Sequence, residues 1–260
     1  MGRATGLSFV IGVMPMVANG FAEEPRRVID LSHELSEEIP TFPGGIPLRV
    51  DPVATFEQAG YFANALSLGE HTGTHVDAPI HFHQDRLSVD ELLPDQLIGP
   101  GIVIAIEPNT SANPDAMLDL EDLARWEQAY GRIPAGGLVL IHTGWGTRWP
   151  DEAAYRNADD QGLMHFPGLS PGAARLLIDR RIKAVGIDTL SIDRGTSARF
   201  DAHKILAEAN VIVMENLTNL DELPVSGFTV VVAPLKIRGG SGSPARVLAI
   251  LGNTEIVHSP

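Results

Sequence analysis

The 260-residue chain contains no cysteine. That absence removes a disulfide framework, a thiolate nucleophile and every Cys-ligated zinc or iron–sulfur site, so any metal must be held by His, Asp and Glu. Nor does any apolar run reach the roughly 18 residues that a spanning helix requires. Basic residues are scarce: 19 Lys and Arg stand against 33 Asp and Glu, a net charge of -14, and no basic cluster is longer than Arg26-Arg27 or Arg180-Arg181. Such a field repels nucleic acid and anionic membrane surfaces. Low-complexity stretches, internal repeats and long linkers are also missing after position 23. At 44% apolar and 20% charged, residues 23–260 read as one globular domain with ample material for a closed core.

The first 22 residues differ in kind. Arg3, an apolar stretch from Leu7 to Met16, and small residues at Ala18, Gly20 and Ala22 read as a secretory signal peptide, which implies a periplasmic or secreted protein. Residues 1–22 are therefore set aside from the fold.

Short strand patterns dominate the first third, at Arg27 to Leu31, Leu48 to Val53 and Tyr61 to Leu68, separated by turn residues such as Pro43-Gly44-Gly45. Buried-strand runs then alternate with helical patterns. Strands are expected at Gly101 to Ile106, Leu138 to His142, Val185 to Ile187 and Val211 to Met214. Between them fall helices at Leu120 to Tyr130 with Asp119 as N-cap, from Ser170-Pro171 to about Arg180, and from Arg199 to Ala209, ended by Asn210. Phe228 to Val232 and Val247 to Leu251 supply two last strands. The alternation argues for a parallel layer with crossover helices, and the strand-rich flanks for a mostly antiparallel second layer. The expectation is an α/β domain of mixed three-layer β/β/α type, with a parallel central layer and an antiparallel outer layer.

Four of the nine histidines fall between positions 71 and 83, in the run His71-Thr72-Gly73-Thr74-His75-Val76-Asp77-Ala78-Pro79-Ile80-His81-Phe82-His83. Gly73, the β-branched Thr74 and Val76, and Pro79 weaken a helical reading. A fully extended strand would separate residues 71 and 81 by roughly 33 Å, too far to meet at one ion. The segment must fold back on itself, and Gly73 and Pro79 are suited to make it do so. Any one of these histidines alone would read as a loop or core residue. Three with an aspartate in eleven residues read as a divalent-metal site for zinc or manganese that leaves coordination positions open. His83 is left as a surface residue.

The same string resembles the His-x-Gly-Thr-His-x-Asp-x-Pro-x-His-Phe signature of the metal-dependent cyclase family, which includes kynurenine formamidases and isatin hydrolases. Further similarities lie in Ile29-Asp30-Leu31-Ser32-His33, Pro40-Thr41-Phe42-Pro43-Gly44, Asp201-Ala202-His203, Glu215-Asn216-Leu217 and Gly242-Ser243-Pro244-Ala245-Arg246. The resemblance implies that His71, His75 and Asp77 hold one metal and that Asp77 bridges to a second position with His203 and Glu215. It also implies a homo-oligomer, most simply a dimer. His203-Lys204 stands where formamidases carry two adjacent histidines, and Gln161 to Ser170 with Asp188 to Asp193 look closer to the isatin-hydrolase branch.

A metal with two neutral imidazoles and one carboxylate keeps positive charge, activating water and polarising a carbonyl. His81 is the expected catalytic proton shuttle, with a ligand or ligand-orienting role as its alternative. Phe42, Phe82 and Trp145 are expected to line an apolar slot for an aromatic amide. His142, His165 and Asp193 read as structural, and Gly239 to Ser243 as a plain loop, since it lacks the Lys-Ser/Thr ending of a phosphate cradle. No Gly-x-Ser-x-Gly elbow supports a serine nucleophile. The expected activity is hydrolysis of a C–N amide bond in a small aromatic amide or lactam. Its competitors are a non-catalytic periplasmic metal- or solute-binding protein, with a closed coordination shell, and a lactone or ester hydrolase using the same groups.

Overall fold

A computed structural model describes residues 27–106 and 112–252, together with Gly2 and Thr110. The signal-peptide reading falls on residues 1–22, which apart from Gly2 lie outside the described residues.

In chain order the elements are β1 (Val28–Asp30), β2 (Arg49–Ala54), α1 (Phe56–Ala59), β3 (Ala63–Ser67), β4 (His75–Asp77), β5 (Ile98–Ala105), β6 (Met117–Leu118), α2 (Leu120–Tyr130), β7 (Leu138–His142), α3 (Glu152–Arg156), β8 (Gly168–Leu169), α4 (Pro171–Asp179), β9 (Ala184–Ile187), α5 (Asp201–Glu208), β10 (Ile212–Glu215), β11 (Ser226–Pro234) and β12 (Gly242–Leu251). Helix starts follow the caps read from the sequence. The Asp119 carboxylate accepts from the amides of Glu121 and Asp122, and the Ser170 hydroxyl accepts from Ala173, one residue before Pro171.

β5, β7, β9 and β10 are parallel neighbours. On their far sides β11 pairs with β5, and β4 with β10, both antiparallel. β12 pairs with β11 along most of its length, and its first residues, Gly242 to Pro244, pair with β4. That last pairing closes seven strands into a ring, with β1 attached to the other end of β12. The parallel and antiparallel strand sets are thus both present, but as two arcs of one closed sheet and not as the separate layers expected.

Period-two alternation sorts the side chains of the parallel arc. Val103, Leu138, Leu140, Ile212 and Met214 point into the ring and meet Phe228, Val230, Val247 and Ala249 from the antiparallel arc. Ile102, Ile104, Val139, Ile141, Val185, Ile187 and Val213 point outward, against Leu123 and Trp126 of α2, Leu177 of α4 and Leu206 of α5. Each fully buried aliphatic side chain here contributes about 1.5–3 kcal/mol. β2 and β3 form a separate two-stranded hairpin.

Candidate metal centre and pocket

The histidine segment folds back as its composition predicts. Gly73 takes φ +64, the three-residue β4 follows, and Pro79 starts a short 3-10 turn ending at His81. A Cβ on Gly73 would sit 2.4 Å from Cδ2 of the exposed Leu35 side chain, which can move, so the positive φ is what favours glycine there. In the β4–β10 ladder His75 stands opposite Glu215, while α5 brings His203 to the same place. Gly242 closes the ring opposite Asp77, and a Cβ there would strike the His71 ring at 2.5 Å.

His71, His75, Asp77, His81, His203 and Glu215 all line one cavity of about 570 Å³. His75 Nε2 lies 3.2 Å from Asp77 Oδ1 and 3.4 Å from Glu215 Oε2; His203 Nε2 lies 3.1 Å from Asp77 Oδ2 and 3.1 Å from Glu215 Oε1. His71 Nδ1 is 2.6 Å from Asp77 Oδ1. Among the described residues, two trios have ligand atoms close enough to share an ion, His75 with Asp77 and Glu215, and His71 with Asp77 and His81. Asp77 belongs to both. Glu215 therefore approaches His75 as well as His203, a closeness the spacing in sequence gave no sign of.

Counting protons shows what these groups can hold. A neutral imidazole has one N–H. His75 gives its own to the Gly73 carbonyl at 2.8 Å, and His203 to Asp193 at 2.7 Å. Ser241 donates its hydroxyl to Glu70 at 2.6 Å, so at 2.9 Å it accepts from His71 Nε2. All three rings thus turn a bare nitrogen toward two buried carboxylates, an arrangement that is repulsive unless positive charge enters. Burial is the largest influence on His75 and pushes its pKa down, yet hydrogen bonds and charge from Asp77 and Glu215 outweigh it and lift the pKa to about 10. His203 is likewise penalised by burial and raised well above the ordinary value by Asp193, Asp77 and Glu215. Burial pushes Asp77 up, but the three imidazoles hold it well below the usual carboxylate range. A divalent cation satisfies the same demand, and its imidazole and carboxylate ligands are already oriented.

Several contributors carry no individual mark in the sequence. Asp193, read there as structural, anchors His203 and also accepts from the amides of Ala202 and His203 at the start of α5. Asn216, at φ +55, donates from Nδ2 to the same Gly73 carbonyl that His75 uses, at 2.8 Å, and accepts from the Tyr155 hydroxyl at 3.0 Å. Phe200 forms part of an aromatic wall, 5.4 Å from Phe82 and 6.2 Å from Phe42 between ring centres. Phe42 and Phe82 line the cavity as expected.

Trp145 does not line it. The ring is 2% exposed, packed with Tyr155, Met164, Phe166 and Leu190, and its Nε1 donates to the Tyr155 carbonyl. The polar indole edge found a backbone acceptor, which allowed the whole ring to be buried behind the wall. His165 pairs with Asp115 at 2.9 Å, outside the cavity lining.

Comparison with known proteins agrees with this geometry. The family profile "Putative cyclase" matches residues 29–194. The chain belongs to the cyclase family. Among its family relatives is an isatin hydrolase of Roseibium aggregatum, 37% identical over 224 residues, covering 82% of this chain and 84% of that protein. A kynurenine formamidase of Delftia acidovorans is 29% identical, covering 86% of this chain and 97% of that one. A crystal structure of an isatin hydrolase bound to the product analogue thioisatinate superposes with a TM-score of 0.84 at 33% identity, covering 88% and 93% of the two chains. The matched residues 29–194 contain the whole histidine segment.

Proposed function

We propose that this cyclase-family protein is a metal-dependent hydrolase that opens the C–N amide bond of a small aromatic amide or lactam, of the isatin or N-formylkynurenine kind. The observation that carries the reading is the set of three imidazoles with bare nitrogens aimed at Asp77 and Glu215, on the floor of a cavity walled by Phe42, Phe82 and Phe200. His75, Asp77 and Glu215 would hold a divalent ion, manganese or zinc, with His71 and His203 completing the set and Asp77 shared. Such an ion, when bound, lowers the pKa of water toward neutrality and polarises a carbonyl oxygen.

The chain's own residues supply the remainder. The three phenylalanines bind a flat ring and exclude water from one side of it. His81 faces the cavity, its ring stacked on His71 at 4.0 Å between centres. Burial holds its pKa below the ordinary imidazole value, so it is neutral at pH 7 and can accept a proton. In this reading an imidazole nitrogen of His81 takes the proton from the attacking water and returns it to the leaving nitrogen as the C–N bond breaks.

Similarity to the isatin hydrolase supports the lactam over the formamide. A non-catalytic metal binder would seal its ion, whereas here the donors border an open cavity. The homo-oligomer and the export belong to the same proposal. Val53, Phe56, Tyr61, Phe62 and Leu66 are exposed on the β2–β3 hairpin, and a two-stranded hairpin is marginal without a covering surface. Sedimentation of wild type and Phe62→Ser would show a dimer and its weakening; a monomeric wild type, or a variant that dimerises as tightly as the wild type, removes that part.

The function is tested by purifying the protein without added metal, measuring its metal content, and assaying stripped, manganese-loaded and zinc-loaded forms on isatin and N-formylkynurenine. Turnover that disappears on stripping and returns with metal is expected. Loaded protein that leaves both amides intact would overturn the reading.

A further inference from the structure

We propose that Arg156 is a positioning residue that fixes the Phe42 wall of the cavity, and that α3 thereby sets the distance between the aromatic wall and the metal-binding cluster. The proposal rests on the reading of that cavity as an aryl-amide site. It begins from what holds the segment carrying Phe42. Residues 33–47 form neither helix nor strand, and within them the backbone bonds are Ile39 to Ser36 at 3.4 Å and Gly45 to Phe42 at 2.8 Å. Two such bonds cannot hold a fifteen-residue excursion in one place, so side chains from elsewhere must.

The His33 amide, bonded to Thr74 Oγ1 at 2.9 Å, ties the start of the segment, and Arg156 supplies the anchor next to Phe42 from 115 residues away. Its Nε donates to the Thr41 carbonyl at 2.8 Å, and its Nη2 donates to the same carbonyl and to Thr41 Oγ1 at 3.2 Å. Glu152, one turn earlier on α3, pairs with the same Nη2 at 2.8 Å. A planar fork gripping a carbonyl and a hydroxyl of one residue leaves the next residue, Phe42, little freedom. The neighbour of Arg156 points the other way. Tyr155 is fully buried, and its hydroxyl donates to Asn216, whose amide in turn holds the Gly73 carbonyl that orients His75. Adjacent residues of one short helix thus grip the two sides of the cavity, Tyr155 the metal side and Arg156 the aromatic side. A helix turn is stiff, so the separation it imposes selects the size of ring that fits between.

The test uses the metal-loaded full chain as Arg156→Ala, Arg156→Lys, Phe42→Ala and the Arg156→Ala/Phe42→Ala double variant. Hydrogen exchange of residues 36–47 should quicken at least about tenfold in Arg156→Ala, and thioisatinate should bind about tenfold more weakly, with KM for isatin rising more than kcat falls. Lysine should restore little, since it lacks the fork. The double variant should bind no more weakly than Phe42→Ala alone, because Arg156 acts through that ring. Additive losses, or unchanged exchange in residues 36–47, would overturn the proposal. Should Arg156→Ala fail to fold, Arg156→Lys is judged on the same exchange and binding criteria. If the wild type neither binds thioisatinate nor hydrolyses an amide, the functional reading falls, while the exchange measurement still decides whether Arg156 holds the segment.

Discussion

At the scale of single residues, His71, His75 and His203 each commit one ring nitrogen to a partner outside the carboxylate pair, so the other nitrogen is aimed at Asp77 or Glu215; in His75 and His203 it holds a proton that a divalent ion would displace. Asn216 shares the Gly73 carbonyl with His75. Asn216→Ala should therefore weaken metal affinity by about 10–100-fold, measured by competition with a chromogenic chelator; wild-type affinity would remove Asn216 from the site. His81 is expected to behave differently. His81→Ala should keep its metal and lose about 10²–10⁴ in turnover, and equal losses of both would reassign it as a ligand. Because the pKa of His81 is held below 6.5 and its neutral form is the working one, wild-type kcat/KM should hold as pH falls past 6.5 and drop only at lower pH. The sequence showed these chemical groups plainly because three histidines and an aspartate crowd into so few positions. Phe200 and Arg156 were illegible, since their meaning lies in contacts with Phe42 and Thr41, which are 158 and 115 positions away. Trp145 misled because an aromatic in a turn looks the same whether it lines a slot or packs behind one.

Among the elements, the capped helices and the apolar strands, short β1, β9 and β10 included, were legible, whereas β4, β6, β8, α1 and α3 were not. α2 and α4 carry their own start signals in Asp119 and Ser170. α3 is five residues long and gives no periodic signal, although Tyr155 and Arg156 make it the helix that borders the cavity on two sides. The turn before β4 is the exception, legible because only glycine suits it. Gly73→Ala would place a methyl group 2.4 Å from Leu35 at φ +64, costing about 1–3 kcal/mol. Gly60→Ala, at φ +75 with nothing within 4 Å, should cost only the backbone strain, about 1 kcal/mol. Urea midpoints compare the two, and Gly73→Ala alone should also lose metal affinity, because its carbonyl orients His75. Equal effects from both would mean that the Leu35 contact relaxes away.

For the molecule as a whole, the parallel and antiparallel strand sets were legible from run length and alternation, but their closure into one ring was not. It depends on three residues of β4 meeting strands about 140 and 170 positions later, and a three-residue strand leaves no pattern. Global stability should also carry a pH signature. His33 stacks on Trp149 with its Nε2 buried and unpartnered, and burial lowers its pKa to about 4. The unfolded chain binds that proton at about 6.5, so the stability due to neutral His33 is complete above 6.5 and is lost as pH falls toward 4. Because the raised pKa values of His75 and His203 act in the opposite sense, the test is the contrast: on going from about pH 7 to about pH 5 the urea midpoint should fall further, or rise less, in the wild type than in His33→Phe. The same signed change in both proteins would place the pH sensitivity elsewhere.

The strand that bears His75 and Asp77 is also the seam at which the ring shuts against Gly242 to Pro244. Opening there would leave His75, Asp77 and Glu215 together on the β4–β10 pair but take Ser241 and Gly242 away from the His71 ring. The ring seam and the hold on His71 are therefore one contact, and whatever loosens the first residues of β12 also frees the imidazole nearest to them.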